Sequence, residues 1–305
     1  MPDRVLRSVR TPARRLRRRL ALTAAVSSAA FVSIPAAVAS AGIIAPESGG
    51  GTPNAEGIRS LYLLIGVLAI IVFVGVCGLL IHTLVKYRAS KGGVPSQVHG
   101  NNRLEVSWTV GAALILVLIS VVTFVKLGQI YEPPNSDASA LPLTSKLTPA
   151  ADGRQKLPPN GRVYQIDVNG LQYVWRYTYP DGDTNNLNNV FSYEEMVVPT
   201  GATVALRIFA QDVQHSWWIP QLGGKFDAVP GYANYTWFKI SEPGVYRGQC
   251  AELCGRNHAN MVAQVRALPP AKFQAWYDRQ KAAIRNADEQ AAKARNAAIK
   301  ATAGP

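Results

Sequence analysis

Residues 61–81, LYLLIGVLAIIVFVGVCGLLI, form a run of 21 residues without a charge, and residues 108–125, WTVGAALILVLISVVTFV, form a second run of 18. At about 1.5 Å per residue, each run is long enough to cross about 30 Å of hydrocarbon as a helix. A buried helix of a soluble protein is seldom so uniformly apolar. The two runs therefore predict a transmembrane helical hairpin, which we place within residues 42–127.

The 26 residues between these runs predict the orientation of the hairpin. They hold Lys86, Arg88, Lys91 and Arg103 against a single acidic residue, Glu105. Cytoplasmic loops carry an excess of Lys and Arg, so we expect this connection to face the cytoplasm. Both flanking parts of the chain then lie on the outer side.

The first 41 residues have the order of an export signal. Eight Arg against one Asp give this segment a net charge of +7, and an Ala-rich apolar stretch then leads to small residues at Ala37–Ala41. This pattern predicts a signal peptide over residues 1–41 and a multi-pass protein of a bacterial-type plasma membrane. An uncleaved anchor is the alternative.

The charge and the cysteine count exclude several classes of protein. The chain has 305 residues and a formal charge of +13, of which more than half lies in the leader. The remainder forms no basic stripe, so we expect no nucleic acid as a partner. Three cysteines are too few for a disulfide scaffold.

The second half of the chain is patterned as an all-β domain. A Pro-rich linker at 128–160 precedes about seven short β-rich runs at 161–269, which predict a sandwich of two sheets. The last segment, 270–305, is rich in Ala, Lys, Arg and Gln and predicts a helix that frays into a tail.

Metal-binding side chains cluster at two places in a chain that is otherwise poor in them. His215 lies in DVQHSWW at 212–218, and four further candidates lie within QCAELCGRNHANM at 249–261. These four are Cys250, Cys254, His258 and Met261.

Three alternatives to copper use only part of this set. A disulfide between Cys250 and Cys254 leaves the His and Met residues without a role. Structural zinc favours two separated ligand pairs and no thioether. A Cys/His nucleophile has no use for a second thiolate.

Thiolate, imidazole and thioether together favour copper. One copper of the electron-transfer type requires a single Cys, so the second Cys of this loop is a surplus thiolate. Both sulfurs can bridge two copper ions, with one imidazole for each metal. The chemistry expected from such a site is electron relay without bond making.

At these residues the chain resembles subunit II of the haem-copper cytochrome c oxidases. The similarity is carried by DVQHSWWIPQLGGKFDAVPG at 212–231, PGVYRGQCAELCGRNHANM at 243–261 and HGNNRLEVSWTVGAALILVLIS at 99–120. The resemblance implies a two-helix transmembrane hairpin plus an all-β cupredoxin-like sandwich domain that holds a binuclear copper A (CuA) centre.

The resemblance also implies roles for individual residues. Cys250 and Cys254 would bridge the coppers, His215 and His258 would each bind one copper, and Met261 would be a weak ligand. The backbone carbonyl of Glu252 would be the other weak ligand, and its carboxylate would reach a magnesium ion shared with subunit I.

Several residues besides the metal ligands have expected roles. Glu105, three residues before Trp108, matches a carboxylate at the mouth of a proton pathway, although it can also be a helix-initiating acid. Tyr173 stands where the family usually has the Trp that accepts the electron, and Trp175 follows it. We expect Asp212 and Asp227 to brace loops. Acidic candidates for meeting a basic cytochrome are Asp181, Asp183, Glu194 and Glu195.

The function implied is that of the electron-accepting subunit of a cytochrome c oxidase. Its partners would be subunit I and the other oxidase subunits, a c-type cytochrome and the lipid bilayer. A metal-free quinol oxidase subunit is disfavoured because the ligand set is intact. A nitrous oxide reductase-like enzyme is disfavoured because a hairpin and linker occupy the place of its propeller domain.

Overall fold

The computed structural model describes residues 52–94, 96–140, 154–180 and 188–302. The chain divides into two compact units, Met1–Glu47 and Ser48–Pro305, and every described residue belongs to the second. The expected signal peptide at 1–41 lies outside the described residues.

Two long apolar helices open the described chain. Helix α1 spans Pro53–Lys86 and helix α2 spans Asn102–Tyr131, with mean hydropathies of 3.1 and 2.5 in their most apolar windows. None of the residues in those windows is buried by the rest of the chain. Helices of this length with an apolar, uncovered surface are typical of membrane spans.

Both helices are longer than the apolar runs that predicted them, because polar ends continue each helix beyond the lipid-length core. Pro53 occupies the start of α1, where its missing N–H costs nothing. At the start of α2, the Asn101 side chain accepts a hydrogen bond from the Leu104 N–H at 3.2 Å. Helix α2 continues to Tyr131, so the first four residues of the expected linker are helical.

The β domain consists of two five-stranded sheets. The first has the order β3-β2-β1-β5-β8 and the second has the order β4-β10-β9-β6-β7. The strands are β1 Tyr164–Leu171, β2 Val174–Tyr179, β3 Val190–Tyr193, β4 Glu195–Pro199, β5 Thr203–Ala210, β6 His215–Trp218, β7 Phe226–Ala228, β8 Asn234–Lys239, β9 Gly244–Cys250 and β10 Val262–Leu268. This sandwich after a helix pair confirms the expected fold class.

The described part of the chain contains ten strands, where the sequence pattern predicted about seven. The three additional strands are β3, β6 and β7, which have only three or four residues each. Runs this short carry too few alternations to be recognised as strands.

The core lies between the two sheets. Alternate residues of β2 point inward, so Trp175, Tyr177 and Tyr179 are completely buried. The indole N–H of Trp217, on the opposite sheet, donates to Tyr177 Oη at 3.3 Å. Burial of large side chains contributes about 1.5–3 kcal/mol each and fixes the two sheets against one another.

The start of α1 and the end of α2 are hydrogen-bonded to the β domain. The buried Asn54 side chain donates to the carbonyl oxygens of Trp237 at 2.8 Å and Leu222 at 3.3 Å. In return, the Trp237 indole donates to the carbonyl of Tyr131 at 3.1 Å. The β domain therefore sits directly on the ends of both helices.

Part of the expected linker is structured. Ser136 Oγ accepts from the Thr203 N–H at 2.9 Å, and Asp137 pairs with Lys239 at 2.7 Å. Residues 141–153 of this linker lie outside the description.

The last segment is one continuous helix, α3, from Pro270 to Thr302. Fraying was expected within it, but Ala, Lys, Arg and Gln all have high helix propensity and sustain the helix. Phe273 and Trp276 in its first turns are buried against the sandwich, where Trp276 packs edge-on to Tyr179 at 5.3 Å between ring centroids.

Candidate metal centre

Strands β6 and β9 bring the two halves of the candidate site together. His215 is the first residue of β6 and Cys250 is the last residue of β9, and these strands pair antiparallel with Trp217 opposite Cys250. The loop that follows Cys250 returns at Met261, whose carbonyl accepts the Cys250 N–H at 2.9 Å. This bond closes the twelve-residue loop Cys250–Met261, which contains the remaining candidate ligands.

The two loop cysteines are free thiols that face each other. Their Sγ atoms are 3.9 Å apart. A disulfide requires about 2.05 Å, so the described geometry is that of two separate sulfur ligands. This separation of the two Sγ atoms is compatible with sulfurs that bridge a metal pair and is too long for a disulfide bond.

Each sulfur has one imidazole beside it. Cys250 Sγ lies 4.0 Å from Nδ1 of His215, and Cys254 Sγ lies 3.6 Å from Nδ1 of His258. Each sulfur also has one weaker donor nearby. The Glu252 carbonyl oxygen is 3.3 Å from Cys250 Sγ, and Met261 Sδ is 3.8 Å from Cys254 Sγ.

These contacts form two matched halves, each with a thiol, an imidazole nitrogen and a weak donor. Among the described residues, His215, Cys250 and Cys254 form a group of three whose ligand atoms all lie within 4.8 Å of one another. The side chains of Cys250, Cys254, Met261 and His215 are buried, whereas His258 is half-buried. The core side of the site is therefore buried, and the site approaches the surface at His258 and at Asp212, which is exposed beside His215.

Electrostatics prevents the two thiols from ionising together. Burial opposes ionisation of Cys250, but hydrogen bonds from His215 and from the backbone outweigh it and lower the pKa of this thiol to about 6. Burial and the negative charge on Cys250 raise the pKa of Cys254 to about 11. A cation between the sulfurs would offset this repulsion. Both cysteines can therefore be thiolates at this spacing when a metal ion is bound between them.

The second imidazole nitrogen of His215 is held by a carboxylate. Nε2 of His215 lies 2.8 Å from Oδ1 of Asp212. Burial opposes ionisation of Asp212, yet its hydrogen bonds to His215 and to backbone N–H groups lower the pKa of the carboxyl group. Burial also opposes protonation of His215, and the bonds to Cys250 and Asp212 raise the pKa of the ring overall.

The residues around His215 and the ligand loop are closely packed. A Cβ on Gly170 would lie 2.8 Å from Cδ2 of His215, and the Trp175 ring meets the imidazole edge-on at 5.8 Å. On the other side, Gly255 has φ of 138° and faces the Tyr173 hydroxyl. Close packing of this kind fixes the ligands before any metal arrives.

Comparison with known proteins agrees with this architecture. Residues 164–268 match the family model for the cytochrome c oxidase subunit II periplasmic domain, and residues 46–125 match the model for its transmembrane domain. The probable cytochrome c oxidase subunit 2 of Rickettsia bellii is 33% identical over 223 residues, which cover 68% of this chain and 72% of that protein. This chain belongs to the cytochrome c oxidase subunit II family.

Two further relatives bear on the extent of the similarity. Cytochrome c oxidase subunit 2 of Alkalihalophilus pseudofirmus is 32% identical over 239 residues, covering 78% of this chain but only 62% of the relative. The crystal structure of the periplasmic domain of subunit II of cytochrome oxidase from Bradyrhizobium japonicum is 32% identical, covering 40% of this chain and 95% of that one at a TM-score of 0.37.

Membership of the subunit II family confirms the resemblance inferred from the sequence. The structure brings together all six residues expected to bind metal. They are His215, Cys250, Glu252, Cys254, His258 and Met261. At Glu252 the carbonyl is the group that faces the site, and its side chain is exposed.

The aromatic residues expected to accept electrons lie on the same side of the sandwich. Trp175 is fully buried against His215, whereas Tyr173 is half-buried with its hydroxyl facing Gly255 of the candidate ligand loop. Gln172, which precedes Tyr173, donates from Nε2 to the Cys254 carbonyl at 2.6 Å. A continuous contact therefore runs from the Tyr173 turn to the ligand loop.

Glu105 lies in the first turn of α2 and is exposed within this chain. Its Oε1 accepts the Asn101 N–H at 3.2 Å, while Asn101 accepts from Leu104. This reciprocal cap gives Glu105 a structural role at the helix start. Its expected part in a proton pathway is a separate prediction.

The acidic residues expected to meet a cytochrome have different surroundings. Glu195 pairs with Arg266 at 2.7 Å, whereas Glu194 is exposed. Asp181 and Asp183 lie outside the described residues. Asp227 is exposed and lies 3.5 Å from the Gln214 amide nitrogen, as expected for a loop-bracing side chain.

Sequence reasoning assigned Asp212 only to loop bracing, and its contact with a ligand histidine was missed. Its position three residues before His215 was the available signal, because the intervening bend turns the carboxylate back toward the ring.

Proposed function

We propose that this protein is the electron-accepting subunit of a respiratory cytochrome c oxidase and holds a binuclear CuA centre. It would receive electrons from a c-type cytochrome and pass them to haem in subunit I, where oxygen is reduced to water and protons are pumped. The observation that carries the proposal is the pair of matched donor sets around two facing thiols.

The donor set fits the expected metal pair. Cys250 and Cys254 would bridge both ions, His215 and His258 would each bind one, and the Met261 sulfur and the Glu252 carbonyl would complete the two halves. Sulfur and imidazole donors disfavour calcium and magnesium, and the thioether of Met261 favours copper over zinc. When bound, the copper pair supplies one-electron transfer without making or breaking covalent bonds.

The protein's own contribution is to hold the ligands and exclude water. His215 and Met261 are almost completely buried, and Trp175 closes the core side. A cage already fixed by strands β6 and β9 changes little when charge changes, which keeps the reorganisation cost of electron transfer small. We assign electron acceptance from the cytochrome to Tyr173, with Trp175 behind it.

The family and the two apolar helices support a membrane location, and the charges in the connection support an orientation. Lys86, Arg88 and Arg103 follow or precede the spans on one side. We propose that this side is cytoplasmic and that the β domain lies on the outer face of a plasma membrane.

Two further roles belong to the assembled oxidase. The exposed Glu252 carboxylate would contribute to a magnesium site shared with subunit I, and Glu105 would lie at the mouth of a proton pathway into that subunit. Both carboxylates are available for such contacts because neither is buried in this chain.

Copper analysis of the full-length chain in detergent tests the proposal. Two coppers per chain are expected, with one unpaired electron shared by both nuclei in the electron paramagnetic resonance spectrum. A Cys250→Ser variant should lose the shared-spin signal, because one bridge is gone.

Cys77→Ser is the matched control. Cys77 is the remaining cysteine and lies in α1, away from the β domain, so its loss should leave the copper count and the spectrum unchanged. If Cys250→Ser kept the wild-type signal, or if the wild-type protein bound no copper, the proposal would be wrong.

A further inference from the structure

Asp212 is shared between a ligand histidine and the strand turn that carries Tyr173. Its Oδ1 lies 2.8 Å from Nε2 of His215, and because a carboxylate only accepts, this contact places the ring proton on Nε2. Its Oδ2 accepts the backbone N–H of Gln172 at 2.6 Å. Oδ1 also accepts the Val213 N–H at 2.6 Å, so both oxygens are fixed. Asp212 therefore connects His215 to Gln172, which lies 40 positions before Asp212 in the sequence.

The contact with Asp212 decides which nitrogen of His215 is free to bind a metal. With the proton on Nε2 and directed at the carboxylate, the lone pair is on Nδ1. That nitrogen faces the sulfur of Cys250 at 4.0 Å. A carboxylate behind a ligand imidazole fixes its tautomer and orientation and makes it a stronger electron donor.

The two histidines of the site differ in this respect. Among the residues that the structure describes, His258 Nε2 has no hydrogen-bond partner, and the ring contacts the site only through Nδ1. The ring of His215 is completely buried, whereas the ring of His258 is half-buried. The two donor sets therefore differ in the contacts behind their histidines. Among the described residues, His215 has a carboxylate beside Nε2 and His258 has none.

We propose that Asp212 is a positioning residue that makes the two halves of the copper centre inequivalent, enriching electron density at the metal bound by His215 and lowering the reduction potential of the pair. This inference rests on the proposed copper function. The negative carboxylate stabilises the more positive, oxidised centre, so its removal raises the potential.

Asp212 also couples this effect to the site of electron acceptance. Gln172 donates its backbone N–H to Asp212 and its side-chain amide to the Cys254 carbonyl at 2.6 Å. Displacement of the turn at Tyr173 therefore changes the hydrogen bonds of both ligand segments. The potential of the centre is set by the same contacts that hold the accepting turn.

The test compares Asp212→Asn with Asp227→Asn in the copper-loaded full-length chain. Asp227 is a good control because it lies on the neighbouring strand β7, is exposed and makes no contact with a ligand ring. Both variants remove one negative charge close to the centre. Only Asp212→Asn replaces the carboxylate behind His215.

Two measurements separate a positioning role from a loop brace. The first is the redox titration of the copper absorption. At the wild-type midpoint, the ratio of oxidised to reduced centres in Asp212→Asn should fall about tenfold, because a carboxylate behind a ligand histidine tunes the metal. For a one-electron couple this is about 59 mV.

The second measurement is the copper hyperfine and histidine ¹⁵N couplings of the oxidised centre. The wild-type protein should give unequal couplings for the two halves, and Asp212→Asn should make them more nearly equal. Wild-type potential and couplings in Asp212→Asn would overturn the inference, as would equal shifts in Asp227→Asn. Failure of the wild-type chain to bind two coppers would instead refute the proposed function.

A copper-free measurement covers the case in which Asp212→Asn loads metal poorly. The chain has four histidines, so ¹⁵N-histidine labelling gives few signals. At alkaline pH, His215 should be the Nε2–H tautomer in the wild-type and Asp227→Asn proteins, and a tautomer mixture in Asp212→Asn. An unchanged tautomer in Asp212→Asn would contradict the assignment.

Discussion

At the scale of single residues, Gly170 lies beneath the ring of His215 in a space that admits no further atom. A Cβ there would lie 2.8 Å from Cδ2 of the imidazole and 3.2 Å from the Trp175 ring. Neither neighbour can withdraw, because both are completely buried. The absence of a side chain at this position is thus part of how the ligand is placed.

Gly170→Ala should therefore displace His215, costing about 1–3 kcal/mol of folding free energy from overpacking and weakening copper binding. Thermal unfolding of the copper-free chain and a copper titration measure the two effects. Gly244→Ala is the control, since its Cβ would meet Tyr246 only at an ordinary 3.5 Å. Wild-type copper binding by Gly170→Ala would contradict this account of the packing around His215.

The candidate ligands could be recognised in the sequence, whereas the residues that hold them in place could not. Cys250, Cys254, His258 and Met261 are rare residue types that lie within one loop, so their chemistry is visible without coordinates. Gly170 and Asp212 are common residue types. The role of Gly170 depends on a contact with His215, distant in the sequence, that no local pattern marks. For Asp212, the one local signal was its position three residues before His215.

At the scale of elements, the long helices were predictable and the short strands were not. An uncharged run is a strong signal for a span, although the polar turns that extend α1 and α2 carry no such signal. Strand β6 has four residues and yet carries His215 into the site. Its strand character comes from pairing with β7 and β9, which is a tertiary effect.

The contact between α1 and the β domain depends on the buried side-chain amide of Asn54. Asn54→Ala should cost about 1–3 kcal/mol, because the Trp237 and Leu222 carbonyls lose a buried donor. Thermal unfolding in detergent measures the loss, with the copper spectrum expected to stay as in wild type. Gln129→Ala, which removes an exposed 3.4 Å bond to the Pro53 carbonyl, should cost less. If Asn54→Ala were as stable as the wild type, these hydrogen bonds would not stabilise the contact between α1 and the β domain.

At the scale of the whole molecule, the chain joins a membrane hairpin to a rigid ligand cage. The hydrogen bonds of Asn54 and Trp237 join the β domain to one end of the hairpin, and Glu105 lies at the opposite end of α2. The proposed electron acceptance and the proposed proton uptake therefore belong to opposite ends of the hairpin.

Glu105→Gln separates the two roles of this residue in the assembled oxidase. Glutamine keeps an oxygen that accepts the Asn101 N–H, so the helix cap survives, but it cannot carry a proton-transferring charge. Oxygen consumption should fall in Glu105→Gln, while the rate of copper reduction by cytochrome stays unchanged. Wild-type oxygen consumption in Glu105→Gln would leave Glu105 only its capping role.

The most direct measurement of the central claim is copper X-ray absorption fine structure on the copper-loaded full-length chain. It counts the neighbours of the metal without reference to turnover. Two sulfur scatterers per copper, together with a copper neighbour, are expected if both thiolates bridge a metal pair. A spectrum with one sulfur per copper and no metal neighbour would contradict the binuclear centre.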